Sequence, residues 1–410
     1  MMQSTNNKSE GLIVFLAIGL TAIYGFPNMK IIFYSMVKNV LNLTDTQVGM
    51  IFAVFGTVAL CSYVFGGIVV DKFSLRTTIC GSLLLAGILH LMVSFCPTYH
   101  YMLIISACMS VSAIFMYFPA SSKLIGIIGN AGQSGQAGKL FGLYYALEAL
   151  FTLGVNYLGK SVLSVTGSEE QTFSVMTRSF GTLCFCAAIF LYRKVDANIK
   201  SIDKSKFSFS ILKQTLATKN VWLMALMTCG AYVSYTALSY IPGYLSSFHG
   251  IKGTQAITLS IIRVNVMTII ASLLIGRLTE KRKSTIDTIK LLAPILATLS
   301  VICFLSQYIR HDAVICIVFT MAFAFVVLGI KAISISSISE MEIPVAISGS
   351  IIGVVSFIGY SPDSFYYAIM GRMVDSFGDT AYSGLWIISF IGALICCICA
   401  KTLLKSKVTE

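Results

Sequence analysis

Charge is what this sequence has least of. Only 11% of its 410 residues are Asp, Glu, Lys or Arg, while 56% are hydrophobic; soluble domains carry roughly 25% charged residues. That deficit excludes a soluble globular domain, because too little polar side chain exists to cover a water-facing surface, and the apolar residues must face hydrocarbon. Acid is scarcer than base, 17 residues against 29, for a net charge of +12. In a soluble protein such an excess points to nucleic acid. Here the basic residues fall between apolar runs, so no nucleic-acid partner is expected.

Catalytic signatures are missing too. His100, His249 and His311 stand singly in loops, and neither a His-x-x-x-His zinc motif nor a nucleophile elbow occurs. Most cysteines, among them Cys61, Cys80, Cys184 and Cys303, lie inside apolar runs, where a thiol behaves as a small hydrophobe. Cys396, Cys397 and Cys399 have no matching cluster to complete a metal site. The run Gly129-Asn-Ala-Gly132-Gln-Ser-Gly135-Gln-Ala-Gly138-Lys139 lacks Walker spacing and has Leu140 where Ser or Thr belongs, so it reads as a flexible cytoplasmic loop. Nothing calls for a cofactor, a metal or a nucleotide-driven pump, and no enzyme is expected. The first apolar run lacks a cleavage motif behind it and reads as a retained span.

What is present is a series of apolar runs. About 20 such residues cross the hydrocarbon core as a helix. Spans are predicted at Leu12–Tyr34, Gln47–Val70, Thr77–Phe95, Tyr101–Lys123, Leu140–Leu163 and Phe173–Tyr192. After a polar stretch they resume at Val221–Leu245, Gln255–Gly276, Ile286–Ser306, Ala313–Ser339, Val345–Met370 and Tyr382–Leu404. The expected fold is an all-α membrane protein of twelve transmembrane helices in two pseudo-symmetric six-helix bundles, residues 1–192 and 221–410, joined by a basic linker, 193–220.

Lys72, Arg76, Lys139, the linker lysines, Arg277, Arg282 and Lys401 fall on one side of this arrangement, and little beyond Lys38, Lys160, Lys252 and Arg310 on the other. The positive-inside rule makes the first side cytoplasmic, with both termini, in a cell (inner) membrane. The halves also echo each other. Gly67-Ile-Val-Val-Asp71-Lys72-Phe-Ser-Leu-Arg76 comes after span two, and Gly276-Arg277-Leu-Thr-Glu280-Lys281-Arg282 after span eight. Internal repetition at half-length is how many secondary carriers are built.

On these residues the sequence resembles the major facilitator superfamily, whose loop between spans two and three carries a Gly-x-x-x-Asp-Arg/Lys-x-Gly-x-Arg-type signature. Gly67, Asp71, Lys72 and Arg76 match, and Ser74 replaces the second glycine. Glu340-Met-Glu342-Ile-Pro344, Gly349, Gly353, Gly359-Tyr360-Ser361-Pro362-Asp363 and Gln136-Ala-Gly138-Lys139-Leu-Phe-Gly142 are similar to bacterial sugar-phosphate and organic-anion permeases. The resemblance implies a monomeric secondary transporter of a small solute, coupled to H+ or a counter-anion. The alternative is a non-transporting receptor or sensor on the same scaffold, but the linker is too short to hold a signalling domain.

Ionisable residues inside spans mark the candidate site, because a charge at the bilayer centre costs roughly 2.5–3.5 kcal/mol on insertion scales and needs a partner or a wet cavity. They are Lys30, Glu148, Arg263, Lys331 and Asp363. At about 1.5 Å per residue, Glu148 and Arg263 fall near mid-depth. One reading has Arg263 and Lys331, with Lys30, binding an anionic solute, and Glu148 or Asp363 serving as the proton-coupling or counter-charge group. The other pairs Glu148 with Arg263 and Lys331 with Asp363 as structural ion pairs. Lys30 also reaches the headgroups by snorkelling in a third arrangement. Tyr24, Tyr144 and Asn265 are the expected polar lining. Gly67, Asp71, Lys72 and Arg76, with Gly276, Glu280 and Arg282, are the expected cytoplasmic gate, Asp71 latching to an arginine of the adjacent span or else only setting topology. Tyr24-Gly25-Phe26-Pro27 and Gly359-Tyr360-Ser361-Pro362 should interrupt spans one and eleven. Thr44-Asp-Thr-Gln47 reads as a capping box for span two.

Overall fold

The computed structural model describes residues 2–70, 73–130, 136–196, 215–308, 313–340 and 345–409. Every regular element among them is helical, as hydrocarbon demands, since a helix satisfies its own backbone groups. Among the described residues nine stretches are long and apolar enough to cross a bilayer, ten when the bent pair Gly11–Ile23 and Gly25–Ile32 is taken as one span. Helix Gln136–Thr166 is span five, long enough but diluted by Glu148, Asn156 and Lys160. Spans eleven and twelve run on within Ile351–Ser406. The all-α architecture is as expected, and the count is consistent with twelve.

Helical residues reach into the ends of two expected loops. Helices Phe118–Asn130 and Gln136–Thr166 run into the glycine-rich stretch, and its residues 131–135 lie outside the described ones. Helices Glu169–Lys194 and Lys219–Thr236 take the two ends of the basic linker, and 197–214 lie outside. Alternating Gly and polar residues lower helix propensity without forbidding a helix that neighbouring spans already support.

Both expected interruptions occur. Span one bends by 61° at Tyr24, where Pro27 has no N–H to give Ile23. Span eleven divides into Val345–Gly359 and Pro362–Phe377 around Tyr360 and Ser361. Two further irregularities occur, the first just before Pro119, whose missing N–H falls on Phe115, the second with no proline near it. Val111–Tyr117 in span four and Ile262–Val266 in span eight are wide π turns, a feature that often marks functional sites.

The chain divides into two compact units, one drawn from Met1–Lys30, Asn39–Leu43 and Cys61–Lys206, the other from Ile31–Lys38, Thr44–Leu60 and Phe207–Glu410. In the first, spans three and six pack along each other, and span one lies on spans five and six. In the second, span twelve packs on spans seven and nine, span eight on ten, and span eleven on seven. The second unit includes the first half of span two, where helix Asp45–Val70 meets span eleven almost backbone to backbone. A Cβ on Gly49 would stand 2.1 Å from the Tyr367 carbonyl oxygen, on Gly56 2.3 Å from that of Asp363, and on Gly371 2.2 Å from that of Asp45. Small residues permit this close approach between helices in a membrane. Leu150, Leu273, Ile391 and Ile398 are among the large apolar side chains left on the surface, an excess that suits a lipid surround.

Candidate functional site

In the second unit, Arg263 sits on the π turn of span eight and is wholly buried. Its Nη2 donates to Ser260 Oγ at 2.9 Å. Its Nε and Nη1 are buried with no hydrogen-bond partner among the described residues, and it forms no ion pair among them. Asn265, two residues on, is also buried, and its Nδ2 lacks a partner in the same sense. The turn packs against span ten. Because a π turn holds an extra residue, it rotates the succeeding residues about the axis relative to a regular helix. The result is a fixed cation with unused donors in an apolar interior, which favours an anion able to accept them.

Lys331 and Asp363 are both half-buried and converge on one aromatic group. Lys331 Nζ lies 3.5 Å above the Tyr235 ring centre and 5.8 Å from that of Tyr232. Tyr232 donates its hydroxyl hydrogen to Asp363 Oδ2 at 2.8 Å. The rings of Tyr235 and Tyr360 stand 5.1 and 4.8 Å from that of Tyr232. Lys331 is therefore held by a ring face, a cation–π contact, and Asp363 by a phenol. Asp363 also lies in the first turn of helix Pro362–Phe377, where the helix dipole favours a carboxylate. The tyrosines between these two charges were not legible as their partners in the sequence.

In the first unit, Glu148 is half-buried, and its Oε1 accepts from Thr152 Oγ1 at 3.0 Å. Thr21 of span one donates to the Glu148 backbone oxygen at 3.2 Å. Tyr144 is fully buried, with its hydroxyl 3.4 Å from Ser121 Oγ. Tyr24 is half-buried at the bend of span one, and Lys30 is buried in the helix beyond it. Sequence reasoning passed over His90. Its Nε2 accepts the backbone N–H of Phe26 at 3.1 Å, and its Nδ1 lies 2.8 Å from the Ala86 oxygen. A polar ring inside the apolar run of span three was the available signal, by the same rule that singled out the buried charges.

Among the gate residues, Gly67 lies in helix Asp45–Val70, and Asp71 and Lys72 lie outside the described residues. Arg76 stacks its guanidinium 3.8 Å above the Tyr192 ring, joining the start of span three to the end of span six. In the second copy Gly276 and Glu280 lie on helix Met267–Arg282, and Glu280 is exposed. Arg282 pairs with Asp287, in the first turn of the next helix. Glu340 caps that helix, accepting from Ser284 Oγ at 2.9 Å and from the Thr285 N–H.

A multi-pass membrane protein with a transporter fold is the class that these helices and buried charges define. The chain belongs to the Major Facilitator Superfamily, whose sequence model matches residues 12–365. It is similar to two Escherichia coli (strain K12) proteins. Inner membrane protein YqcE is 24% identical over 88% of this chain and 86% of the relative. Inner membrane protein YihN is 22% identical over 90% and 88%. Among solved structures, that of the nucleoside transporter NupG superposes with a TM-score of 0.72 at 15% identity, covering 97% of this chain and 98% of that one. A bacterial homologue of the human lysosomal transporter Spinster, inward-facing and unoccupied, gives 0.69 at 13% identity, covering 98% of both.

Proposed function

We propose that this chain is a secondary transporter that moves a small organic anion or sugar phosphate by alternating access, as a monomer with both termini cytoplasmic. Arg263 is the observation that carries this reading. An unpaired guanidinium in an apolar interior is unfavourable by several kcal/mol, and an anion that accepts from Nε, or from Nη1, offsets that cost. Arginine suits carboxylate and phosphate because it offers parallel N–H donors. Lys331 and Lys30 add positive charge, and Tyr24, Tyr144 and Asn265 add polar lining. Glu148 and Asp363 are the groups proposed to carry the coupling proton or to balance a counter-anion. Gly67, Asp71, Lys72, Arg76, Gly276, Glu280 and Arg282 form the proposed cytoplasmic gate. NupG is a nucleoside transporter, but a shared fold at such low identity carries no substrate, and the buried cation favours an anion.

The test is uptake of a panel of radiolabelled organic acids and sugar phosphates into proteoliposomes, with and without a pH gradient. One or more anions should accumulate, Arg263→Gln should abolish uptake with the protein still folded, and Arg263→Lys should restore only part of it. Normal uptake by Arg263→Gln overturns the anion site. Labelling of a cysteine placed within 193–220 from outside intact cells overturns the orientation.

A further inference from the structure

The bend of span one is seated on a histidine. Phe26, just past the break, donates its backbone N–H to His90 Nε2 at 3.1 Å. Around that bond the fit is tight. The Phe180 ring stands 5.6 Å from the imidazole, and a Cβ on Gly25 would fall 2.2 Å from that same ring. Phe173 meets Phe26 edge-on at 6.3 Å. His90 itself is wholly buried.

The two partners of the imidazole fix its protonation state. A carbonyl oxygen only accepts, so Nδ1, 2.8 Å from the Ala86 oxygen, carries the ring hydrogen. An amide N–H only donates, so Nε2 presents its lone pair to Phe26. The ring is the neutral Nδ1–H tautomer. A second proton would go to Nε2, and an N–H would then face an N–H. Proton binding and the Phe26 bond are mutually exclusive at one atom. From spans one, four and six, which pack on span three, the ring meets the Phe26 amide and the Phe180 ring; no carboxylate or cation interacts with it among the described residues.

We infer that His90 is a proton-binding site that sets the bend of span one: the neutral ring holds the elbow, and a proton on Nε2 releases it. Proton occupancy is thereby linked to the geometry of the helix that carries Tyr24 and Lys30 and that touches Glu148 through Thr21. His90 is a positioning residue, acting on the solute path through the span it anchors. The functional meaning rests on the transporter reading above, but the linkage can be measured without any solute.

The experiment is hydrogen–deuterium exchange of the full chain in nanodiscs across about pH 3.5 to 8, reaching below the range an ordinary histidine samples, with exchange corrected for its intrinsic pH dependence. In the wild type the peptide containing Phe26 should lose protection toward acid, its exchange rising about tenfold as one hydrogen bond is lost. In His90→Gln the side-chain oxygen still accepts the Phe26 N–H but does not titrate, so protection should stay level. Constant protection in the wild type overturns the inference, as does an equal loss in His90→Gln. A measurement that needs no change at position 90 guards against a misfolded variant. With His100, His249 and His311 replaced by Gln, the one remaining imidazole should show the nitrogen-15 signature of the Nδ1–H tautomer at neutral pH, and an Nε2–H tautomer overturns the inference. If the exchange behaves as expected while no anion is taken up, His90 stands and the Arg263 reading falls.

Discussion

Asp375 Oδ2 accepts the backbone N–H of Thr46 at 2.7 Å, across 329 residues of sequence. Its Oδ1 accepts the N–H of Asp45 at 3.1 Å. On either side of this pair the capping box closes: Gln47 Oε1 takes the Thr44 N–H at 3.0 Å, and Thr44 Oγ1 takes the Gln47 N–H at 3.2 Å. The donors that open span two are all accounted for, two locally and two by a side chain of span eleven. Asp375→Ala removes the acceptor of two amides and the negative charge at a helix N-terminus, which together should lower stability by about 1–2 kcal/mol. Asp375→Asn, which keeps one accepting oxygen, should lose less. Thermal unfolding in detergent gives the stability, and faster exchange of the Asp45 and Thr46 amides locates the loss; unchanged exchange there contradicts the cap.

The seam beside that cap depends on missing side chains. At Gly56 a methyl group would fall 2.3 Å from the Asp363 carbonyl oxygen, an atom of helix backbone that cannot swing aside. Gly56→Ala must push spans two and eleven apart and should destabilise by about 1–3 kcal/mol. Gly154 offers the opposite case: it lies within helix Gln136–Thr166 with nothing within 4 Å of a would-be Cβ. Gly154→Ala should be neutral or stabilising by up to about 1 kcal/mol, through helix propensity alone. Melting temperatures of the two variants should therefore move in opposite directions or differ clearly in size.

Legibility from the chain depends on the range of each interaction. The capping box was legible because Thr44 and Gln47 are three residues apart; Asp375 was not, because nothing local ties it to Thr46. The elbow of span one was legible from Gly25 and Pro27, but its acceptor on span three was not, since a hydrogen bond between helices leaves no periodicity in either. Arg263 stood out as a charge in an apolar run. The π turn beneath it has no composition of its own, so the burial of its guanidinium beside a single serine emerges only with coordinates. The tyrosine ring under Lys331 and the phenol on Asp363 were not legible, because they depend on how spans seven, ten and eleven pack. The gate motif was legible as a repeat, whereas the pairing of Arg282 with Asp287 lies beyond its pattern.

Tyr235 tests how Lys331 is held. The ammonium 3.5 Å above its ring centre needs the ring face and not the hydroxyl. Tyr235→Phe should leave anion uptake within about twofold of the wild type. Tyr235→Leu removes the ring face, worth about 0.5–2 kcal/mol, and should raise the half-saturating solute concentration by about two- to thirtyfold with less change in maximal rate. Equal behaviour of the two variants in proteoliposome uptake contradicts a role for the cation–π contact.

His249 gives the protein a dependence on acid that is separate from transport. It ends helix Ile241–His249, between the spanning stretches Lys219–Ser239 and Gly253–Arg282. Both ring nitrogens are buried without a hydrogen-bond partner among the described residues, and burial holds its imidazole below the ordinary value of 6.5. The unfolded chain therefore binds a proton near pH 6.5, where the folded chain still resists one. Stability is greatest above that pH and declines as pH falls toward the folded value, below which both states are protonated and the loss is complete. His249→Gln removes the titrating group. The drop in melting temperature between about pH 7.5 and 5.5 should be smaller in the variant than in the wild type, with the Tyr244 ring 5.8 Å away left in place. Since other buried groups, His90 among them, titrate equally in both proteins, the difference between the two curves isolates this imidazole. Parallel curves mean that His249 is not responsible for the acid sensitivity.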